Sequence, residues 1–347
     1  MGARNQRVSP AITLSPSSKR DWFRWGVGLF ILCGCLFFLD LTEVMAALRK
    51  LEPAWLVLLL FLMTADRMAM AWKWTLLLRA RGVRLPFSQI TRYYYQGTLT
   101  GLFMPSSIGG DLLRAHWVSE ASGVKHPVYA SLVMEKILGL LSSVNWGILG
   151  GVIFASVQLD HSPLLWIAGG LGTAVCVNGV FLVSLRPEFH ASVLRRLKQR
   201  QSRVLGFFHR LYESYSEFSR VRGVLVLNFV LTALEQLLQM GVILLIALSL
   251  EIDVDPFLFL VATAVQILAY RLPVAPDGWG VAEVAAIGVY GLIGMSPESA
   301  FTLAIVTHVL QTVVVLPGFW FIWRRNDRAN SDSPPSTHPA AGGNPTT

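Results

Sequence analysis

The chain has 347 residues, of which 53% are hydrophobic and only 14% charged. Soluble domains carry roughly 25% charged residues, and several apolar runs here approach or exceed the ~20 residues that cross a bilayer. A soluble domain is excluded, and an integral membrane protein with many spans is expected. The net charge of +8 is distributed on segments flanking the apolar runs, the pattern of a protein oriented by basic cytoplasmic loops rather than of a nucleic-acid binder. Cys33, Cys35 and Cys176 all lie in apolar runs without metal-ligand spacing to histidine, so neither a disulfide framework, a metal site nor a cofactor is expected.

Residues 1–22 are polar, carry Arg4, Arg7, Lys19 and Arg20, and read as a disordered cytoplasmic tail. Phe23–Leu39 is the first apolar run, expected as an uncleaved helix. Asp40–Pro53 is an amphipathic outer connection. Ala54–Leu78 is the second span and holds the adjacent pair Asp66-Arg67, which either neutralises itself or faces a cavity. Trp72 and Trp74 read as markers of the inner interface, before Arg79, Arg81 and Arg84.

Ile90–Met104 is short and polar for a full span, and Pro105 stops it. After Gly109-Gly110, read as a turn, a second helix is expected over about Asp111–Ser119, with Asp111 complementing the helix dipole at its N-terminus. The result is a re-entrant hairpin whose mouth faces the cytoplasm between Arg84 and Lys125. Pro127–Val157 is a long, tilted span carrying Glu135-Lys136 and Asn145, with small residues for close helix contact. Gln158–Pro163 reads as outside, and Leu164–Leu185 returns to the cytoplasm.

Arg186–Arg222 is the most basic segment and reads as an amphipathic surface helix against anionic lipid headgroups. Val224–Leu250 crosses outward with Glu235, Gln236 and Gln239, reaching an acidic loop of Glu251, Asp253 and Asp255. Pro256–Leu272 runs into a second break, Pro273–Glu283, and a short apolar helix follows to Gly294. Phe301–Trp323 is the last span, with His308 and Gln311 inside it. Arg324, Arg325 and Arg328 place the C-terminus in the cytoplasm, and residues 329–347 read as disordered.

The two breaks share a pattern: an apolar approach, a proline, a glycine-containing turn, an acid and a departing helix. The expected fold class is all-α, a polytopic membrane protein of about six to eight transmembrane helices with two oppositely facing re-entrant or broken hairpins forming an inverted repeat. Residues 256–294 either re-enter from outside or span twice; both options leave both termini inside. Paired broken segments point to a transporter-type site at the repeat interface. Half-helix N-termini suit a phosphate, with Arg114, Lys136 and Arg271 as fixed positive charge.

At these residues the chain resembles the flippase-like transmembrane domain of lysylphosphatidylglycerol synthases, over roughly 23–325, between tails at 1–22 and 326–347. The family's Pro-x-x-x-Gly-Gly-Asp-x-x-Arg pattern is complete at Pro105, Gly109, Gly110, Asp111 and Arg114. Its following Glu-Arg dipeptide appears as Glu135-Lys136. The late pattern is matched at Pro273, Pro276, Gly278, Gly280 and Glu283, while Ala275, Asp277 and Ala282 replace Ser, Gly and Arg. The resemblance implies movement of a lipid with a polar or charged headgroup between leaflets of a bacterial plasma membrane, and not lipid aminoacylation.

The expected function is therefore a lipid flippase without its own ATPase, since no Walker A motif is present. Its cavity residues are Pro105, Gly109, Gly110, Asp111, Arg114, Glu135, Lys136, Arg271, Pro273, Asp277, Gly278, Gly280 and Glu283. Asp66, Glu235 and His308, with the cavity acids, are the proton-coupling candidates. The alternatives are a membrane glycosyl or phosphoryl transferase acting on a polyprenyl phosphate, although no Asp-x-Asp motif or histidine cluster supports it, and a non-transporting scaffold.

Overall fold

A computed structural model of the chain describes Arg49 and residues 52–102, 104, 107–158, 163–186, 212–213, 215–269 and 280–321. The expected first span at 23–39, residues 187–211 and 214 of the basic loop, both tails, Pro105, and the break at Arg271, Pro273, Asp277 and Gly278 lie outside the described residues.

Among the described residues nine α-helices of more than one turn follow one another, and no strand occurs. They are α1 (Pro53–Ala80), α2 (Phe87–Leu102), α3 (Ser107–Ser122), α4 (His126–Gln158), α5 (Pro163–Ser184), α6 (Arg222–Ser249), α7 (Pro256–Ala269), α8 (Val281–Gly291) and α9 (Pro297–Val315). A 3-10 turn at Glu217–Arg220 precedes α6. Helices α1, α4, α5, α6 and α9 are long and apolar enough to cross a membrane. The protein is polytopic and all-α.

Several helix starts have a visible chemical cause. Asp255 Oδ1 accepts the Leu258 N–H (2.8 Å) ahead of α7. Ser296 Oγ accepts the Ser299 N–H (3.2 Å), with Pro297 in the first turn of α9, so that helix begins before the expected Phe301. At α8, Gly280 has φ +83°, a conformation only glycine adopts easily, and its N–H donates to Glu283 (2.6 Å).

Helix α1 runs antiparallel to α6: Met63 lines a cavity with Val242, and Lys73 pairs with Glu235. One end of the bundle therefore gathers Arg79, Arg81, Arg186, Arg220 and Arg222, and the other holds Glu251, Asp253 and Asp255. Short links join α1 to α2 at the basic end and α6 to α7 at the acidic end. The α2–α3 and α7–α8 hairpins thus enter from opposite ends.

Each hairpin is antiparallel. In the first, Gly97 faces Gly110 and Arg114, and Gly101 faces Gly110. In the second, Phe259 stacks on Tyr290 (4.9 Å) and Gln266 donates to the Ala282 carbonyl (3.1 Å). At 14 and 11 residues, α7 and α8 are ~21 and ~16 Å long, short of the ~30 Å apolar core.

Helix α4, 33 residues long and so ~50 Å, is the spine along which both hairpins lie. Its Glu135 and Lys136 reach α3. Further along, Gly147 abuts Leu268, and Gly150 abuts Val261 and Ala264 of α7. Its middle is tied to α6 by Gln236, which donates to Ser143 Oγ (2.9 Å) and accepts from Ser142 Oγ (2.7 Å). Such hydrogen bonds join helices where lipid offers no competing polar partner.

The structure corrects the reading of Gly109-Gly110 as a turn. Both lie inside α3, which starts at Ser107, and Asp111 is its fifth residue rather than its cap. A Cβ on Gly110 would come within 2.2 Å of the Gly97 carbonyl oxygen. The glycine is needed for two helices to touch, not for the chain to bend.

Candidate functional site

Four helices converge on Arg114. Its guanidinium is almost fully buried, with 1% of the side chain exposed. Nε donates to Asp111 Oδ1 (3.0 Å) one turn earlier on α3, and Nη2 donates to Glu135 Oε2 of α4 (2.8 Å). Trp74 of α1 and Tyr94 of α2 each place a ring 4.4 Å from the guanidinium carbon. A weakly hydrated, planar cation is well matched to this mixture of rings and carboxylates.

The second oxygen of Asp111 takes Lys136 Nζ at 2.5 Å. Adjacent residues of α4 thus serve opposite partners: Glu135 neutralises Arg114, and Lys136 neutralises Asp111. The two acids and two bases sum to zero charge. The fixed positive charge expected of Arg114 and Lys136 is thus met by Asp111 and Glu135. Two donors remain for a ligand. Lys136 is half-exposed at 52%, and Arg114 Nη1 is buried without a hydrogen-bond partner.

Trp74 is fully buried and donates from Nε1 to Ser131 Oγ of α4 (3.1 Å). It therefore packs inside the bundle, whereas Trp72, 44% exposed, faces outward. Trp74, Tyr94, Gly97 and Ser131 are members of the node that sequence reasoning missed. The Gly97-x-x-x-Gly101 spacing was a legible signal for close helix packing.

The second hairpin carries a smaller polar pair. Glu283 at the start of α8 is 0% exposed and meets His308 Nδ1 of α9, itself 3% exposed, at 2.7 Å. The other Glu283 oxygen holds the Gly280 N–H. A cavity acid and a proton candidate, separate in the sequence reading, are therefore one buried unit. The remaining late residues, Arg271, Pro273, Asp277 and Gly278, cannot be related to it because they lie outside the described residues.

A third polar cluster lies between α1, α6 and α9. Glu235 pairs with Lys73 Nζ (2.8 Å), which also donates to Thr232 Oγ1 (3.2 Å). Lys73 is a further residue that the sequence reading did not single out. The Asp66 carboxyl lies against Glu235. Asp66 and Arg67 make no ion pair with each other among the described residues. Instead both line a cavity of about 20 Å³ with Gln239, Thr307 and Gln311, room for about one water. Asp66 Oδ1 has no hydrogen-bond partner.

No cluster of three or more His, Cys, Asp or Glu arranged to hold a metal occurs among the described residues. Each hairpin thus holds buried ionisable side chains against partners on neighbouring helices.

Comparison with known proteins places these features in a family context. The family described as lysylphosphatidylglycerol synthase TM region matches residues 25–318. The chain is similar to glycosyltransferase AglD of Haloferax volcanii, 23% identical over 92% of this chain and 57% of that protein. It is also similar to UPF0104 membrane protein MJ1595 of Methanocaldococcus jannaschii, 20% identical over 86% of this chain and 94% of that protein. The chain thus spans little more than half of the length of the glycosyltransferase.

Proposed function

The chain belongs to the lysylphosphatidylglycerol synthase transmembrane-region family, and on that premise we propose that it is a lipid transporter. It moves a lipid with a polar or charged headgroup across the membrane along a path between the two hairpins. One observation carries the reading: two short helical hairpins enter from opposite ends along α4, each with buried ionisable side chains held by partners. Charge is expensive in a bilayer and marks a pathway when it faces the bundle interior. Lys136 and the unpartnered Nη1 of Arg114 are the donors for a headgroup phosphate.

In this reading the protein sits in a bacterial plasma membrane with both termini and the basic end of the bundle in the cytoplasm, following the positive-inside rule. Asp66, Glu235 and the Glu283–His308 pair are the groups for coupling to protons.

A second reading, a transferase acting on a lipid-linked sugar or phosphate, is favoured by the similarity to a protein named glycosyltransferase. The part of that protein that this chain does not cover offers an equally good home for its chemistry. Reconstituted liposomes with a headgroup-labelled phospholipid separate the readings. Transport predicts loss of label from the protected leaflet, abolished by Asp111→Ala and Arg114→Ala, with the lipids chemically unchanged. A new lipid species made by the purified protein would replace transport with transfer. Retention of full activity by well-folded Asp111→Ala and Arg114→Ala would remove the node from either mechanism.

A further inference from the structure

A cleft away from the Arg114 node opens between α4, α5 and α6, with a volume of about 400 Å³. That is the size of a small-molecule pocket. Its walls are aliphatic and aromatic, from Leu138 and Leu141 of α4, Phe181 of α5, and Leu225 and Phe229 of α6. Arg186 and Arg222 stand together at one end, just past α5 and at the first residue of α6.

Three observations define what fits. First, no residue of α5 is buried, so this wall faces the bilayer and the cleft is reachable from it. Second, α5 has 22 residues and is ~33 Å long, matching the ~30 Å apolar core. Arg186, two residues past its end, therefore stands at the level of lipid phosphates. From there the lining reaches back to Asn178 and Phe229, ~10–12 Å along each helix, the depth of the upper part of an acyl chain. Third, both arginines are exposed, and neither makes an ion pair among the described residues. The nearby Glu217 is engaged by Arg81. Two guanidinium forks above an apolar slot are complementary to a phosphate carrying an acyl chain.

We propose that this cleft binds one acyl chain of an anionic phospholipid, whose phosphate is held by Arg186 and Arg222. The lipid fills the slot between α5 and α6, beside the Ser184–Tyr215 hydrogen bond that already ties the end of α5 to the segment before α6. The site shares no residue with the Arg114 node, so it is occupied whether or not that node transports lipid.

The test is lipid retention by the purified full-length protein in native mass spectrometry, with phosphatidylglycerol and phosphatidylcholine of identical acyl chains. Wild type should retain one phosphatidylglycerol more tightly than phosphatidylcholine. Arg186→Gln/Arg222→Gln should weaken that retention about tenfold, toward the phosphatidylcholine value. Val226→Trp, on an exposed part of the wall, should fill the slot and lower retention of both lipids. Asp111→Asn should leave the phosphatidylglycerol count unchanged while altering transport. Equal retention of the two lipids by wild type would overturn the proposal, as would undiminished phosphatidylglycerol retention in the double variant. Unaltered retention in Val226→Trp would do so too, and would assign the cleft to another segment of this chain or to a second copy.

Discussion

In the α2–α3 hairpin an arginine is held by two carboxylates and two aromatic rings; in the α7–α8 hairpin a glutamate is held by one histidine and one backbone N–H. The first arrangement draws on four helices, the second on two. Arginine keeps its charge under all working conditions, so the first node is a permanent lattice of charges. The second joins one carboxylate to one imidazole and one backbone N–H. The hairpins enter from opposite ends alike, yet their buried polar groups differ in number and in kind. Likeness of outline therefore does not imply likeness of role.

The comparison breaks most sharply at Arg114. Arg114→Ala leaves Asp111 and Glu135 without their shared cation and empties the space between Trp74 and Tyr94. Removing one partner of a buried ion pair costs about 3–5 kcal/mol, read as a fall in the melting temperature of detergent-solubilised protein. Arg114→Lys should recover only part of this, because an ammonium cannot make the same planar contacts. A melting temperature close to wild type for Arg114→Ala would demote the node from a keystone to a peripheral contact.

Backbone contact separates the hairpins next. A Cβ at Gly110 would stand 2.2 Å from a backbone oxygen, whereas a Cβ at Gly288 in α8 meets nothing within 4 Å. Gly110→Ala should cost roughly 1–3 kcal/mol by forcing α2 and α3 apart. Gly288→Ala should be neutral or slightly stabilising, since alanine favours helix. Equal effects would mean that the first hairpin is not held by its glycines.

The second hairpin is probed by Glu283→Gln, which keeps the shape and exchanges charge-assisted hydrogen bonds for neutral ones. The expected loss is about 1 kcal/mol. His308→Gln combined with it should add little more, because each single change already removes the shared interaction. Additive losses would show that Glu283 and His308 are stabilised by separate partners.

The sequence reading and the structure agree where hydrophobicity decides the outcome. Among the described residues the long apolar runs became α1, α4, α5, α6 and α9. They part where a residue type has two physical uses. Gly109-Gly110 was read for backbone freedom, but its value is the missing Cβ. Trp74 was read by its preference for the interface, although its N–H finds Ser131 inside the bundle and its ring covers Arg114. Asp66 beside Arg67 was read either as a self-neutralising pair or as facing a cavity; neighbours on a helix point ~100° apart, and both line the small cavity against α6 and α9. Lys73 and Glu235 are 162 positions apart, a pairing no local spacing announces. Asp111 with Arg114 was legible because three residues make one helical turn.

Lys136 gives the smallest effect on stability and the most informative one on activity. Its ammonium touches Asp111 at 2.5 Å, but half of the side chain is exposed, and exposed ion pairs contribute about 0–1 kcal/mol. Asp111 keeps Arg114 in the absence of Lys136, so Lys136→Ala should melt within about 1 kcal/mol of wild type. Headgroup movement should nevertheless fall, because the variant removes the node's one accessible cation and leaves its charge at −1, an arrangement that repels a phosphate. Lys136→Arg should restore movement, with a guanidinium reaching both Asp111 and the headgroup. Unchanged movement in Lys136→Ala would reduce this lysine to a counterion and leave the buried Nη1 of Arg114 as the donor, one that a headgroup can meet only if the two hairpins separate.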